Sequence, residues 1–205
     1  MRFREFESRV RDFPLFNLND IRKFAPDFSR RQLYTWKKNG YLEPIAGGYY
    51  VLAEKVIDES FLFMAANLIY EPSYVSLESA LVYYQVIPET VLGVTSVSSR
   101  STKAFISDWG RFQYRSVKSD LLFGYEVVEI SQHKKYKMAK LEKAVLDYLY
   151  LNPEINHVND FEGLRWNKDQ LQSELDNGLF KTYLSIFNKN ALRDRVIMLK
   201  AYLNA

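Results

Sequence analysis

Apolar residues recur along the first 54 positions in three short helical windows, followed by two extended ones. Phe3, Phe6 and Val10 fall on one side of a highly charged stretch, residues 2–12, which Pro14 closes. Ile21 and Phe24 mark a second helix, with Asn19 as its cap and Pro26 as its stop. Leu33 and Trp36 mark a third. Ser29 suits its start, because the hydroxyl accepts from a free backbone N–H of the first turn, and Gly40 supplies a left-handed stop. Two apolar segments then flank Ala46-Gly47-Gly48, which predicts a hairpin turn.

From Asp58 the pattern changes. Phe61, Leu62, Met64, Ala65, Leu68 and Ile69 predict a buried helix that ends before Pro72. Tyr74-Val75 reads as short and extended, and Ser76 as the cap of a helix turning Leu77, Ala80, Leu81 and Tyr84 inward. Residues 91–98 alternate and are rich in β-branched side chains, so they predict a strand. Phe105-Ile106, 111–117 and 125–130 predict further strands, with turns at Asp108-Trp109-Gly110 and Phe123-Gly124. A helix follows over 139–150, with Leu141, Ala144, Val145, Tyr148 and Leu149 inward. The last fifty residues predict helices near 168–176, 178–188 and 189–203. The class is α+β. Residues 1–54 read as a winged helix-turn-helix domain. Residues 55–205 read as an α/β domain with a small, mostly antiparallel sheet and C-terminal helices.

The third helix is two-faced. At about 100° per residue, Leu33 and Trp36 share a narrow apolar arc. Arg30, Arg31, Tyr34, Thr35, Lys37 and Lys38 fill a contiguous arc of roughly 160°. Four cations, a phenol and a hydroxyl are the inventory of a recognition helix: Arg and Lys for phosphates and guanine edges, Thr and Tyr for phosphates or methyl groups. A surface helix with merely solvated charges has the same composition. The Gly-tipped hairpin behind it and the helices before it favour DNA binding.

A chain of 205 residues suits one small and one medium domain, and 47% hydrophobic content can build both cores. Cysteine is absent, so disulfides and thiolate metal sites are excluded, which fits a cytoplasmic protein. The N-terminal MRFREFESRV lacks the apolar run of a signal peptide, and no stretch of about 18 apolar residues implies a membrane span. The net charge of +3 is unevenly placed: residues 1–54 hold 10 Lys/Arg against 7 Asp/Glu, and the remainder 18 of each. The positive excess therefore lies with the basic helix.

The blocks YVSLESALVYYQVIPE, VTSVSSR, RFQYRSVKSDLLFGY and AKLEKAVLDYLY, together with the wing GGYYVL, resemble the AbiEi family over roughly residues 18–152. These are antitoxins and transcriptional regulators of AbiE-type abortive-infection toxin–antitoxin systems, type IV. The helices after Asn156 match loosely. The resemblance implies a winged domain that binds inverted repeats in the promoter of its own operon. It also implies repression of that operon and antagonism of a nucleotidyltransferase-like toxin encoded beside it. It carries Arg30, Arg31, Tyr34 and Lys38 over as DNA contacts, with Gly47, Gly48 and Tyr49 in the wing. With Ser29, Thr35 and Lys37 these form the expected DNA-binding set.

Enzymatic chemistry is not expected. His133 and His157 stand in polar surroundings without ligand spacing, and His133 lies in QHKKYK, read as a cationic loop. The hydroxyls around Arg100 lack a signalled base. No paired carboxylates follow Gly93-Val94-Thr95-Ser96 as a nucleotidyltransferase needs, and no phosphate-cradling Gly-rich loop appears, so no metal or cofactor is expected. Arg100, Lys103, Arg111, Arg115 and Lys118 form a second basic cluster, in which alternation places Arg111, Gln113 and Arg115 on one side. It reads either as an ordinary solvated sheet face or as a surface for DNA flanks, RNA or an acidic partner. Glu78, Glu142 and Asp147 read as caps or intramolecular partners. The rival function is a winged-helix regulator without antitoxin activity that senses a small ligand, with Tyr70, Tyr74, Tyr83 and Tyr84 lining its pocket.

Overall fold

The computed structural model describes residues 1–88, 92–131 and 134–205. The first helix, α1 (Phe3–Val10), buries Phe6 and Val10 as their spacing predicts. The second, α2 (Leu18–Phe24), is capped by Asn17 rather than Asn19. The Asn17 side chain accepts from the Asn19 and Asp20 N–H groups, while the Asp20 carboxylate accepts from the Asn17 N–H at 3.1 Å. That reciprocal arrangement satisfies more end groups than a cap at Asn19 would. Helix α3 (Arg30–Lys38) starts from Ser29, whose Oγ accepts from Gln32 N–H at 3.3 Å.

Strands β2 (Leu42–Pro44) and β3 (Tyr49–Leu52) form the hairpin in the register Leu42↔Leu52. A two-residue strand, β1 (Phe16–Asn17), adds to the free edge of β3. It is too short to leave a period in the sequence. The three helices and this sheet enclose a small core of Phe6, Val10, Phe16, Ile21, Phe28, Leu33, Trp36, Leu42 and Leu52.

The second sheet has six strands in the order β6-β7-β5-β4-β9-β8. They are β4 (Ser73–Val75), β5 (Gly93–Ser98), β6 (Lys103–Ser107), β7 (Gly110–Ser116), β8 (Tyr125–Ser131) and β9 (Lys134–Ala139). Three pairings are antiparallel; β5–β7 and β4–β9 are parallel. Residues 134–139 are not loop. They form the inner strand β9, with Tyr136 and Met138 buried. Lys-Tyr-Lys-Met alternates as a strand should, but the dense charge disguised it.

Register fixes which face each side chain takes. Val75, Phe112, Tyr114, Tyr136 and Met138 share one face, covered by α4 (Glu59–Ile69). The Tyr114 hydroxyl donates to Ala66 O at 2.7 Å, and Phe63 packs on Tyr136. Tyr74, Thr95, Val97, Arg111 and Arg115 share the other face, covered by α5 (Leu77–Tyr83) and α6 (Leu141–Leu151). Gly93 lets β5 lie against β7, because a Cβ there would overlap the Arg111 backbone, and its φ is +117°. The C-terminal helices α7 (Val158–Leu164), α8 (Lys168–Glu174), α9 (Asn177–Phe187) and α10 (Asn190–Leu203) pack outside α6. The sequence pattern missed α7, which buries only Phe161.

Helix α6 is buried on every side, including Lys143 and Asp147, both 0% exposed. Asp147 Oδ2 accepts from the Tyr74 hydroxyl at 2.8 Å and from Ser76 Oγ at 2.9 Å. Lys143 Nζ donates to Tyr74 Oη at 2.8 Å and pairs with Asp147 Oδ1. The ammonium also lies over the Phe123 and Phe187 rings, at 4.9 and 4.7 Å. Burial pushes the Asp147 carboxyl up and the Lys143 ammonium down, against their mutual attraction. Burial also holds the Tyr74 phenol well above its ordinary value. Ser76 occupies the N-cap position of α5, but its hydroxyl serves Asp147 instead of the cap.

Candidate nucleic-acid interface

The two-faced third helix is positioned by its aromatic anchor. Trp36 packs between Phe3, Phe6 and Phe28, with ring centroids 5.2, 4.7 and 5.3 Å away. Leu33 is buried beside it. The Gln32 amide nitrogen donates to Met1 O at 3.0 Å and ties the chain start to α3. With that side fixed, Arg30, Arg31, Tyr34, Thr35, Lys37 and Lys38 all face solvent, Tyr34 at 68% exposure. Among the described residues, no ion pair involves the four cations of this helix. They are uncommitted positive charges, available to phosphate oxygens. The Thr35 hydroxyl donates back to Arg31 O at 3.0 Å, leaving only its lone pairs for a ligand. Ser29 is likewise engaged as the cap.

Arg30, Arg31, Tyr34 and Lys37 line a shallow depression of about 440 Å³, closed on one side by Tyr50. Tyr50 belongs with the expected residues, although the wing motif pointed to Tyr49. Alternation along β3 carries the signal: Tyr49 packs on the core of the larger body and Tyr50 on the small core.

Gly47 and Gly48 have φ of +60° and +85°, and the Tyr49 N–H donates to Ala46 O at 2.9 Å. Positive φ at both central residues is what the tightest hairpin turns demand. Gly48 faces open space, but a Cβ on Gly47 would lie 3.1 Å from Ile69 Cγ2 and 3.3 Å from Phe105 Cε1. Ile45, Ala46 and Val51 also belong to the larger core. One side of the hairpin is therefore docked on the second body. A groove of about 300 Å³, lined by Lys37, Gly47, Gly48, Ile106 and Asp108 among others, runs beside that contact. Gly47→Ala should consequently cost about 1 kcal/mol more than Gly48→Ala in paired urea titrations, since both strain φ but only Gly47 is also overpacked. Equal losses would show that the hairpin underside is free.

The second basic cluster divides. Arg111 and Arg115 share a face with Gln113, as alternation predicts. Lys103 pairs with Tyr114 and takes the opposite face. The Arg100 guanidinium stacks 4.2 Å over the Tyr70 ring and donates to Glu71 O at 3.2 Å, while Lys103 lies 4.8 Å from the Phe105 ring. Arg115 donates to Leu151 O at 2.6 Å. Lys118 is exposed in the turn beyond β7. The five cations are not one sheet face.

The tyrosines of the rival reading also separate. Tyr74 meets Asp147 on one side of the sheet; Tyr70 packs on Tyr114 at 4.9 Å on the other. They do not line one pocket. Tyr83 and Tyr84 pack edge to face, 5.1 Å apart. Glu142 accepts from the Asp176 N–H at 2.9 Å, an intramolecular partnership of the expected kind. His157 is exposed at the start of α7, and His133 lies outside the described residues.

Among the described residues, no group of three or more His, Cys, Asp or Glu is placed to hold a metal ion. Among the described residues, no helix is long and apolar enough to cross a membrane. No family model and no curated protein matches this sequence.

Proposed function

We propose that the chain is a winged-helix DNA-binding autorepressor and the antitoxin of a toxin–antitoxin operon. The observation that carries the DNA-binding half is α3. Four uncommitted cations and Tyr34 stand on one face, its opposite face is locked by Trp36, and a Gly-turned hairpin follows at once. In this reading α3 enters the major groove. Arg30 and Arg31 read base edges or phosphates near its start, Lys37 and Lys38 grip the backbone near its end, and Gly48 and Tyr50 flank the groove. The antitoxin half rests on the AbiEi-like blocks, most of which fall in the body beyond residue 54. Its opponent would be a nucleotidyltransferase-like toxin encoded by the neighbouring gene.

Fluorescence anisotropy on the promoter upstream of the chain's own gene, run across salt, tests the first half. Lys38→Ala should weaken all DNA alike and lower the salt slope by about 1; Arg30→Ala or Arg31→Ala at a base contact should cost roughly 1–3 kcal/mol and relax specificity. Wild-type affinity in all three variants would refute the interface. Co-expression with the neighbouring gene tests the second half, through rescue of growth.

A further inference from the structure

Strand β8 ends the six-stranded sheet. Its inner edge pairs with β9, and among the described residues no strand covers its outer edge. The register shows which backbone groups that edge leaves over. Lys140 N–H donates to Gly124 O at 2.9 Å, one step before the Tyr125↔Ala139 pair. Hydrogen-bonded pairs alternate along an antiparallel ladder. Glu126 and Val128 therefore turn their N–H and C=O groups to β9, and Tyr125, Val127 and Glu129 turn theirs outward. Lys137 agrees: it stands opposite Val127 and gives its N–H to Asn67 Oδ1 rather than to β8. The span 125–129 is regular, because the register shifts only between Glu129 and Ser131. It contains no Pro or Lys to deter an approaching strand, and Val127 is 50% exposed. The opposite edge strand, β6, differs: it carries Lys103, and its Phe105 lies under the hairpin.

We propose that β8 pairs with β8 of a second copy of this chain, antiparallel about a two-fold axis at Val127, joining the two sheets edge to edge. Only residues with outward groups bond across the axis, so odd-numbered positions meet odd-numbered ones. Tyr125 faces Glu129 of the second copy, Val127 faces its own equivalent, and Glu126 faces Val128. No Glu meets a Glu. An axis at Glu126 or at Glu129 would set like charges face to face, which destabilises a strand pair. An axis at Val128 would run Glu126 into the irregular segment at Ile130. Glu129 also stands opposite Lys135 within its own chain, so its charge is compensated before the copy arrives. Each carboxylate thus meets an apolar or aromatic side chain of the same strand, and an identical strand fits with no foreign counter-charge. Pairing places two α3 helices in one particle. What that means for DNA rests on the function proposed above; the pairing does not.

Sedimentation velocity of the full chain from about 1 to 500 µM should show reversible dimerisation, with Kd on the order of 10–100 µM for so small an interface. Val127→Lys sets two cations face to face at the axis and should weaken the dimer several-fold or more. Its melt should be unchanged, because Val127 is on the surface. The chain has no cysteine, so Val127→Cys reports the register directly. Hydrogen-bonded pairs stand about 5.5 Å apart at Cα, inside the disulfide range of about 4.4–6.8 Å. Mild oxidation should cross-link Val127→Cys several-fold faster than Ile106→Cys, a more exposed site on β6. A chain that stays monomeric throughout, or a dimer that Val127→Lys leaves intact, overturns the pairing. Equal cross-linking of the two cysteine variants does the same. A monomeric chain whose Val127 amide is protected from exchange only when the neighbouring gene's product is added assigns the edge to that protein, and overturns self-pairing. None of these readouts uses DNA, so they fail or succeed independently of the repressor reading.

Discussion

Asp147→Ala should destabilise the folded chain by about 3–5 kcal/mol, because it leaves the Lys143 ammonium buried with no counter-charge. For a chain of this length that is a fall in Tm on the order of 10 °C. The whole cluster is at stake: the Tyr74 and Ser76 hydroxyls both donate to Asp147 Oδ2, and Lys143 reaches both Tyr74 and Asp147. Asp147→Asn keeps an acceptor for the two hydroxyls but still strands the cation, so it should fall between Asp147→Ala and wild type. Lys143→Met combined with Asp147→Asn removes the stranded charge. The double variant should lose less than the two single losses added, with a coupling above about 1 kcal/mol. Urea titrations of the four proteins measure this. Strict additivity would show that Lys143 and Asp147 do not act as a pair.

Cutting the chain between residues 54 and 55 should leave both halves weaker than two independent domains would be. Leu15, Ile45 and Val51 precede the cut yet belong to the core that follows it, and Gly47 rests on Ile69 and Phe105. Separation exposes these three large side chains, forfeiting roughly 5 kcal/mol of apolar burial. Fragment 1–54 keeps nine core residues and should melt over a broad transition or not fold, as domains of this size are marginal. Fragment 55–205 holds all six strands of its sheet. It should fold, but with a lower Tm and a dye-binding patch around Ile69 and Phe105. Intact chain and fragments compared by circular dichroism decide it. A fragment 55–205 as stable as the intact chain would mean that the hairpin contact contributes nothing.

The same contact bears on regulation. A hairpin that rests on Ile69 and Phe105 of the second body does not move independently of those residues. If repression and toxin antagonism share the chain as proposed, they are mechanically linked rather than carried by two modules on a tether.

Local chemistry made much of this legible in the sequence. Ser29, the spacing of Leu33 and Trp36, and Gly40 defined α3 and its basic face, because caps and helical period act within a few residues. Gly47-Gly48 defined the hairpin turn, and the apolar density after Asp58 defined α4. Other features were decided by tertiary structure. Strand β9 hid among lysines because a strand's partners, not its own composition, determine whether it is inner or edge. The Lys143–Asp147 pair reads along α6 as an ordinary surface pair of opposite charges. Only packing against Tyr74, Phe123 and Phe187 buries it. The five cations of 100–118 looked like one basic surface until register placed Lys103 opposite Arg111 and Arg115. The sequence determined which segments become helix, turn and strand, since those preferences are short-range. The tertiary structure alone determined which charges are spent inside, which are left on α3, and that the hairpin rests on the second body, because each depends on residues far apart in the chain.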